Sequence, residues 1–110
     1  MADRRLHVVH VIDSLQVGGT ENGLVNLVAC LAADFRHTVV AMTASGPLAA
    51  RLPAETAVVV LGKRPGRDLR AVGRLVGQLR RLRPDIVHPR NWGALDAVPA
   101  ARIARSPVVI

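Results

Sequence analysis

Two stretches of this 110-residue chain concentrate side chains suited to chemistry. The first is GGTENG, Gly18 to Gly23, where two adjacent glycines stand between a β-branched run and a segment of helical period. Bare backbone at such a place lets a phosphate or sugar oxygen approach the first turn of a helix, where four N–H groups lack intrahelical partners and the dipole is positive. Gly18, Gly19 and Thr20 are therefore candidates for contact with an anion or a sugar. A tight strand-to-helix turn that needs glycine for its dihedrals is the alternative these residues leave open. Other phosphate motifs are excluded more firmly: the chain has no Gly-Lys-Ser/Thr, and GGTENG does not match G-x-G-x-x-G, so a nicotinamide dinucleotide site is not expected.

The second stretch is RPDIVHPRNW, Arg83 to Trp92. His88, Arg90, Asn91 and Trp92 put an imidazole, a guanidinium, an amide and an indole within five residues. Donors of this kind grip hydroxyls and phosphates, while an indole covers the apolar face of a sugar. A lone strand-end histidine is commonly structural; four such groups together favour a ligand.

Both stretches need a scaffold that brings them together. Apolar runs rich in β-branched residues recur at Leu6–Ile12, His37–Met42, Ala57–Leu61, Asp85–His88 and Pro107–Ile110, as expected of a sheet buried on both faces. Between them, Leu24, Leu27, Val28 and Leu31 have helical spacing, as do Val72, Leu75, Val76 and Leu79 within a helix from about Leu69 to Leu82. A weaker helix over about Ala94–Ala104 contains Pro99, and Pro47–Leu52 has room for one or two turns. Alternating strands and helices predict an α/β fold, a Rossmann-like doubly wound parallel sheet with right-handed crossovers. In such a sheet the loop after the fourth strand faces the first strand-to-helix turn across the switch-point crevice.

Composition bounds the class. The length suits one domain. Half the residues are apolar and only Phe35 and Trp92 are aromatic, so the core is expected to be aliphatic. A single cysteine, Cys30, allows no internal disulfide, and no apolar stretch approaches the roughly 20 residues that span a bilayer. A soluble protein of a reducing cytoplasm is expected. From Lys63 to Arg83, eight basic residues face one acid, Asp68; that segment alone equals the +7 of the whole chain. Arg70, Arg74 and Arg81 are predicted on the helix face opposite Val72, Leu75, Val76 and Leu79. They form a solvated face or a docking surface for anionic membrane, where each basic residue contributes about 1 kcal/mol. Nucleic acid is disfavoured because no aromatic platform accompanies the charge.

HVIDSLQVGGTENGLVNLV, GPLAARL, LGKRPGRDLRAVGRLVGQLRRLRPDIVHPRN and ARSPVVI, in this order and spacing, resemble the amino-terminal half of a family 4 glycosyltransferase of the GT-B fold. More narrowly, GGTENGLVNL with DIVHPRN is similar to the branch associated with exosortase and PEP-CTERM systems, whose enzymes accompany exopolysaccharide genes. The resemblance implies that Gly18 and Gly19 lie near the diphosphate of a nucleotide-sugar donor and shape the acceptor pocket, and that His88 through Asn91 form the acceptor side. Many relatives carry a second histidine where this chain has Arg90, and an arginine where it has Asn22, which removes one possible phosphate partner.

The carboxy-terminal domain that holds most of the donor site in such enzymes is not in this sequence. Residues 1–110 are thus expected to be a truncated acceptor-side domain, inactive alone, of a retaining enzyme. That enzyme would use a nucleotide-sugar as donor substrate, a saccharide or lipid-linked acceptor, and no metal or further cofactor in this chain, at the cytoplasmic side of the cell membrane. A stand-alone anion-binding module of Rossmann-like fold is the alternative.

Overall fold

The computed structural model describes residues 5–14, 19–64, 68–89, 102 and 108–109. The apolar runs form five parallel strands: β1 (Leu6–Ser14), β2 (Phe35–Ala44), β3 (Ala57–Val60), β4 (Ile86–Pro89) and β5 (Val108–Val109). Helix α1 (Gly19–Leu31) joins β1 to β2, a 3₁₀ turn at Pro47–Arg51 precedes β3, and α2 (Leu69–Leu82) joins β3 to β4. The strand order is β3-β2-β1-β4-β5. The chain thus winds outward from β1 to β3, then crosses back to the other side of β1. With right-handed crossovers this places α1 and α2 on opposite faces.

Two apolar clusters match that arrangement. Val9, Val11, Val40, Met42 and Val87 pack with Leu75 and Leu79 of α2. Ile12 and Val39 pack with Leu24, Val25 and Val28 of α1 and with Leu52. The fold is the expected Rossmann-like doubly wound α/β sheet, with β1 at its centre.

β1 and β2 run longer than the apolar pattern suggests because they pair from Leu6↔Phe35 through Ile12↔Ala41, and again at Ser14↔Ala44 after a register shift. Their ends, including Phe35, Arg36 and Ala44, are held by the ladder rather than by burial. Beyond Val60, the N–H groups of Leu61 and Lys63 donate to the carbonyls of Ala41 and Met42, at 3.0 and 2.7 Å. Gly62 between them sits at φ 67°, a left-handed conformation that glycine adopts without strain.

Helix α2 begins at a side-chain cap. Asp68 Oδ1 accepts from the N–H groups of Arg70 and Ala71, at 3.1 and 3.2 Å, and Oδ2 accepts from Arg64 N–H at 3.0 Å. These bonds, that from Arg64 foremost, hold its carboxyl below the usual aspartate range. The helix ends where Arg83 turns left-handed at φ 49° and its N–H donates to Leu79 O, with Pro84 blocking continuation.

The packing face of α2 differs from the expected one. Ala71, Leu75 and Leu79 are the buried residues, at i, i+4 and i+8, while Val72 and Val76 are half-buried flanks. Arg74 also departs from its expected role. Its Nε and Nη2 donate to Leu61 O at 3.1 and 2.9 Å, so this guanidinium fastens α2 to the segment after β3. A long side chain can reach back over the helix in this way while its Cα lies on the outer face. Arg70, Arg74 and Arg81 are all exposed, as predicted. The helix expected over Ala94–Ala104 lies outside the described residues, apart from the exposed Arg102.

Candidate functional site

Strand order reverses between β1 and β4, so the crevice at the carboxyl ends of these two strands is the switch point of the sheet. Gly19 is the first residue of α1, the helix that leads away from β1, and its place at that helix start fits the bare turn read from the sequence. Gly18 and the side chain of Thr20 lie outside the described residues. On the other side of the crevice, β4 ends at Pro89. Arg90, Asn91 and Trp92 follow it directly in the chain and lie outside the described residues.

An arginine unforeseen from sequence stands beside the first turns of α1. Arg51, at the end of the 3₁₀ turn, donates from Nη1 to Asn22 Oδ1 at 2.8 Å. Asn22 thus holds a guanidinium supplied 29 residues later in the chain. The cationic function that Asn22 itself lacks is present at this end of α1. No local motif signals it; only the packing of the 3₁₀ turn against α1 brings the two together.

His88 occupies the penultimate position of β4, directly across from His10 of β1 in the parallel ladder. Its ring turns onto the α1 face of the sheet. There His88 Nδ1 lies 3.4 Å from His10 Nδ1, and His10 Nε2 lies 2.9 Å from His37 Nδ1. His37 Nε2 reaches the carbonyl of Leu31, the last residue of α1, at 3.4 Å. The rings of His10 and His37 are stacked, their centroids 5.2 Å apart, and His88 meets His10 edge-on. These three imidazoles floor an open apolar groove of about 220 Å³, walled by Leu31, Phe35 and Ile86. Its walls come from the end of α1 and the starts of β2 and β4. The groove therefore runs from the amino ends of β1 and β2 to His88, one residue short of the end of β4.

The fourth histidine lies on the opposite face. His7 Nδ1 donates to Leu82 O at 3.1 Å, which leaves Nε2 to accept from the Thr38 hydroxyl at 2.8 Å. Its backbone is clasped by Asp85: His7 N–H donates to Asp85 Oδ2 at 2.7 Å, and Asp85 N–H donates to His7 O at 2.8 Å. All four histidines of the chain are thus engaged within the sheet. Among the described residues, no group of three or more His, Cys, Asp or Glu side chains could hold a metal ion.

Burial is the first cause that pushes His7 and His37 below the ordinary histidine value. For His7 the neighbouring Arg36 acts in the same sense and the Leu82 carbonyl opposes it. For His37 the Leu31 carbonyl opposes burial. Because the folded values are depressed, the unfolded chain binds more protons below pH 6.5. The stability these residues contribute is complete above that pH and is lost as pH falls toward the folded values. The urea midpoint should be level from pH 8 to 7 and drop below pH 6.5, as the unfolding free energy falls by at most about 1.4 kcal/mol per pH unit for each histidine. A midpoint that stays level down to pH 5 would contradict the assignment.

With this geometry in view, comparison with known sequences is direct. The sequence profile described as Glycosyltransferase Family 4 matches residues 17–110, a span that includes the glycine turn, both helices and the whole segment from β4 to the chain end. No curated protein gave a match. The profile and the doubly wound sheet agree: this chain belongs to Glycosyltransferase Family 4, and its function is of glycosyltransferase type.

Proposed function

We propose that this chain forms the acceptor side of a retaining glycosyltransferase that moves a sugar from a nucleotide-sugar to a saccharide or lipid-linked acceptor. The observation that carries the proposal is the family match over residues 17–110 on a sheet whose order reverses between β1 and β4. That reversal puts the Gly19 turn and the end of β4 on the two sides of one crevice.

In this reading the bare backbone at Gly18 and Gly19, with Thr20 beside it, faces the donor diphosphate. Arg51 adds positive charge at the same end of α1. Arg90, Asn91 and Trp92 hold the acceptor's hydroxyls and its apolar ring face, and His88 anchors the strand that presents them. A second domain, in cis or in trans, supplies most donor contacts, so residues 1–110 alone form a GT-B amino-terminal domain without useful transfer activity. The likeness of GGTENGLVNL and DIVHPRN to the exosortase-associated branch supports an acceptor destined for exopolysaccharide.

The test is made in an enzyme reconstituted with a donor-binding domain. Gly19→Asp sets a carboxylate where the departing diphosphate gathers charge, and turnover should fall on the order of a hundredfold, about 2.7 kcal/mol of transition-state stabilisation. Arg90→Ala should lower transfer at least about tenfold while donor affinity stays nearly constant. Wild-type rates per folded molecule in both variants would overturn the proposal.

A second surface favours membrane contact as an accompanying property. Arg70, Arg80, Arg81 and Arg83 are all exposed along and just beyond α2, and no helix among the described residues is long and apolar enough to cross a membrane. Docking of this basic face on anionic headgroups would hold the enzyme beside a lipid-linked acceptor, at the inner face of the cell membrane. Arg74 belongs to the same helix but is committed to Leu61. Binding to vesicles with acidic lipid should weaken as salt shortens the Debye length from about 10 Å at 0.1 M to about 3 Å at 1 M. It should disappear when Arg70, Arg80 and Arg81 are replaced by Gln. Equal binding to neutral vesicles would eliminate membrane docking.

A further inference from the structure

We propose that the outer edge of β3 is a self-association surface on which a second copy of this chain lays its own β3 antiparallel, joining two five-stranded sheets into one. β3 closes one end of the strand order, and among the described residues no strand pairs with its outer side. Natural edges are commonly blunted by a lysine, a proline or a bulge. Ala57–Val60 reads AVVV, and its pairing with β2 runs from Thr38↔Ala57 to Ala41↔Val60 without a register shift. Ala57 and Val60 are exposed, Val60 by 47%. The edge is thus unbulged, apolar and accessible.

The backbone fixes which groups a partner would meet. Leu61 N–H donates to Ala41 O, inward to β2. Successive residues of a strand aim their backbone groups at alternate sides, so Ala57 and Val59 also face β2, while Val58 and Val60 aim N–H and C=O outward. The turn before the strand keeps Thr56 N–H for Pro53 O at 2.9 Å, so the outward ladder begins at Val58. A two-fold axis at Val59 sets Val58 opposite Val60 of the partner subunit, the kind of antiparallel pair in which both residues exchange N–H···O=C bonds. The two symmetric pairs use every outward backbone group of the strand. Val58 packs with Ile12 and Val39 on the α1 face, and Val60, two residues on, shares that face. The exposed Val60 therefore gains an apolar neighbour in the partner's Val58.

Charge favours a second copy in this direction. The exposed Glu55 precedes β3, and Lys63 and the exposed Arg64 follow it. Antiparallel pairing brings the acidic end of each strand beside the basic end of the other, twice; parallel pairing sets like charges together. Glu55 also meets Arg5 at 3.7 Å, a long contact that a carboxylate can keep while accepting from a second cation. The two-fold arrangement closes on itself and leaves no edge for a third copy at β3. Four residues a side make a small contact of the transient class, so a dissociation constant on the order of 100 µM is expected. β2 lies between this edge and β1, and the association does not rest on the function proposed for the β1–β4 crevice.

Sedimentation equilibrium and amide hydrogen exchange on the 110-residue chain test the edge together. Between about 5 and about 500 µM the chain should pass from monomer to dimer, and exchange at Val58 and Val60 should slow about threefold while Val59, already bonded to β2, is unchanged. Glu55→Lys and Lys63→Glu should each weaken self-association at least about fivefold. An equimolar mixture of the two variants should restore it, because the mixed pair again sets opposite charges together at both ends. A monomer at about 500 µM, which leaves the edge to a different protein, would overturn the proposal, as would a dimer in which Val58 and Val60 exchange at the monomer's rate. Full protection of both amides in the monomer, which means that another part of the chain covers the edge, or a mixture that associates no more tightly than the single variants, would do the same.

Discussion

The middle of the central strand is shut off from water, while Leu6 at its start is half exposed. Val9, Val11 and Ile12 are fully buried, β2 and β4 close both edges of β1, and the helical layers close both faces. A polar side chain on such a strand must find its partners in place, since a buried donor or acceptor left unsatisfied costs about 1–3 kcal/mol. Among its described side chains β1 carries two such groups, His7 and His10, three residues apart and therefore on opposite faces. Each draws a set of partners to itself. His7 takes Thr38 of β2, the end of α2 through Leu82, and Asp85 before β4. His10 takes His37 of β2 and His88 of β4, and through His37 the end of α1. The ends of both long helices and the two neighbouring strands are thereby referred to one strand.

This arrangement divides the sheet along its length. The amino halves of β1 and β2, with His88 of β4, hold the histidine networks and the apolar groove, which are matters of cohesion. The carboxyl ends hold the glycine turn, Arg51 with Asn22, and the exit from β4, where the reversal of strand order opens a crevice. Loops borne on a firmly held sheet are free to specialise for a ligand while the scaffold is fixed elsewhere. The chain belongs to Glycosyltransferase Family 4, and the crevice is where we propose that sugar transfer takes place.

Much of this was legible in the residues. Near-continuous β-branched runs locate the strands because a doubly buried parallel sheet demands them, and helical spacing locates α1 and α2. The buried face of α2 is turned from the expected one: Ala71, a small residue, is buried, while Val72 is half-buried. Arg74 was assigned to the outer face by helical periodicity, which fixes Cα positions and not the reach of a long side chain. His7, His10 and His37 carry no comparable signal: period-two alternation puts His10 and Val8 on one face, yet their partners on β2 and β4 depend on register, which a single sequence does not show. Arg51 and Asn22 meet only through tertiary packing. Gly18 and Arg90–Trp92 fall outside the described residues, so for these the sequence pattern and the family match remain the basis of the assignment.

The central claim, that the carboxyl ends of β1 and β4 form the sugar-transfer crevice, is tested most directly by amide chemical-shift mapping of the labelled chain with a nucleoside diphosphate sugar such as UDP-glucose. The account predicts shifts concentrated at Gly19–Asn22 and Arg51, where it places the donor diphosphate. Residues at the amino ends of the strands, such as Leu6, Phe35 and Ile86, should be unmoved. Shifts centred on the histidine-floored groove or on the exposed face of α2, with the start of α1 silent, would contradict it.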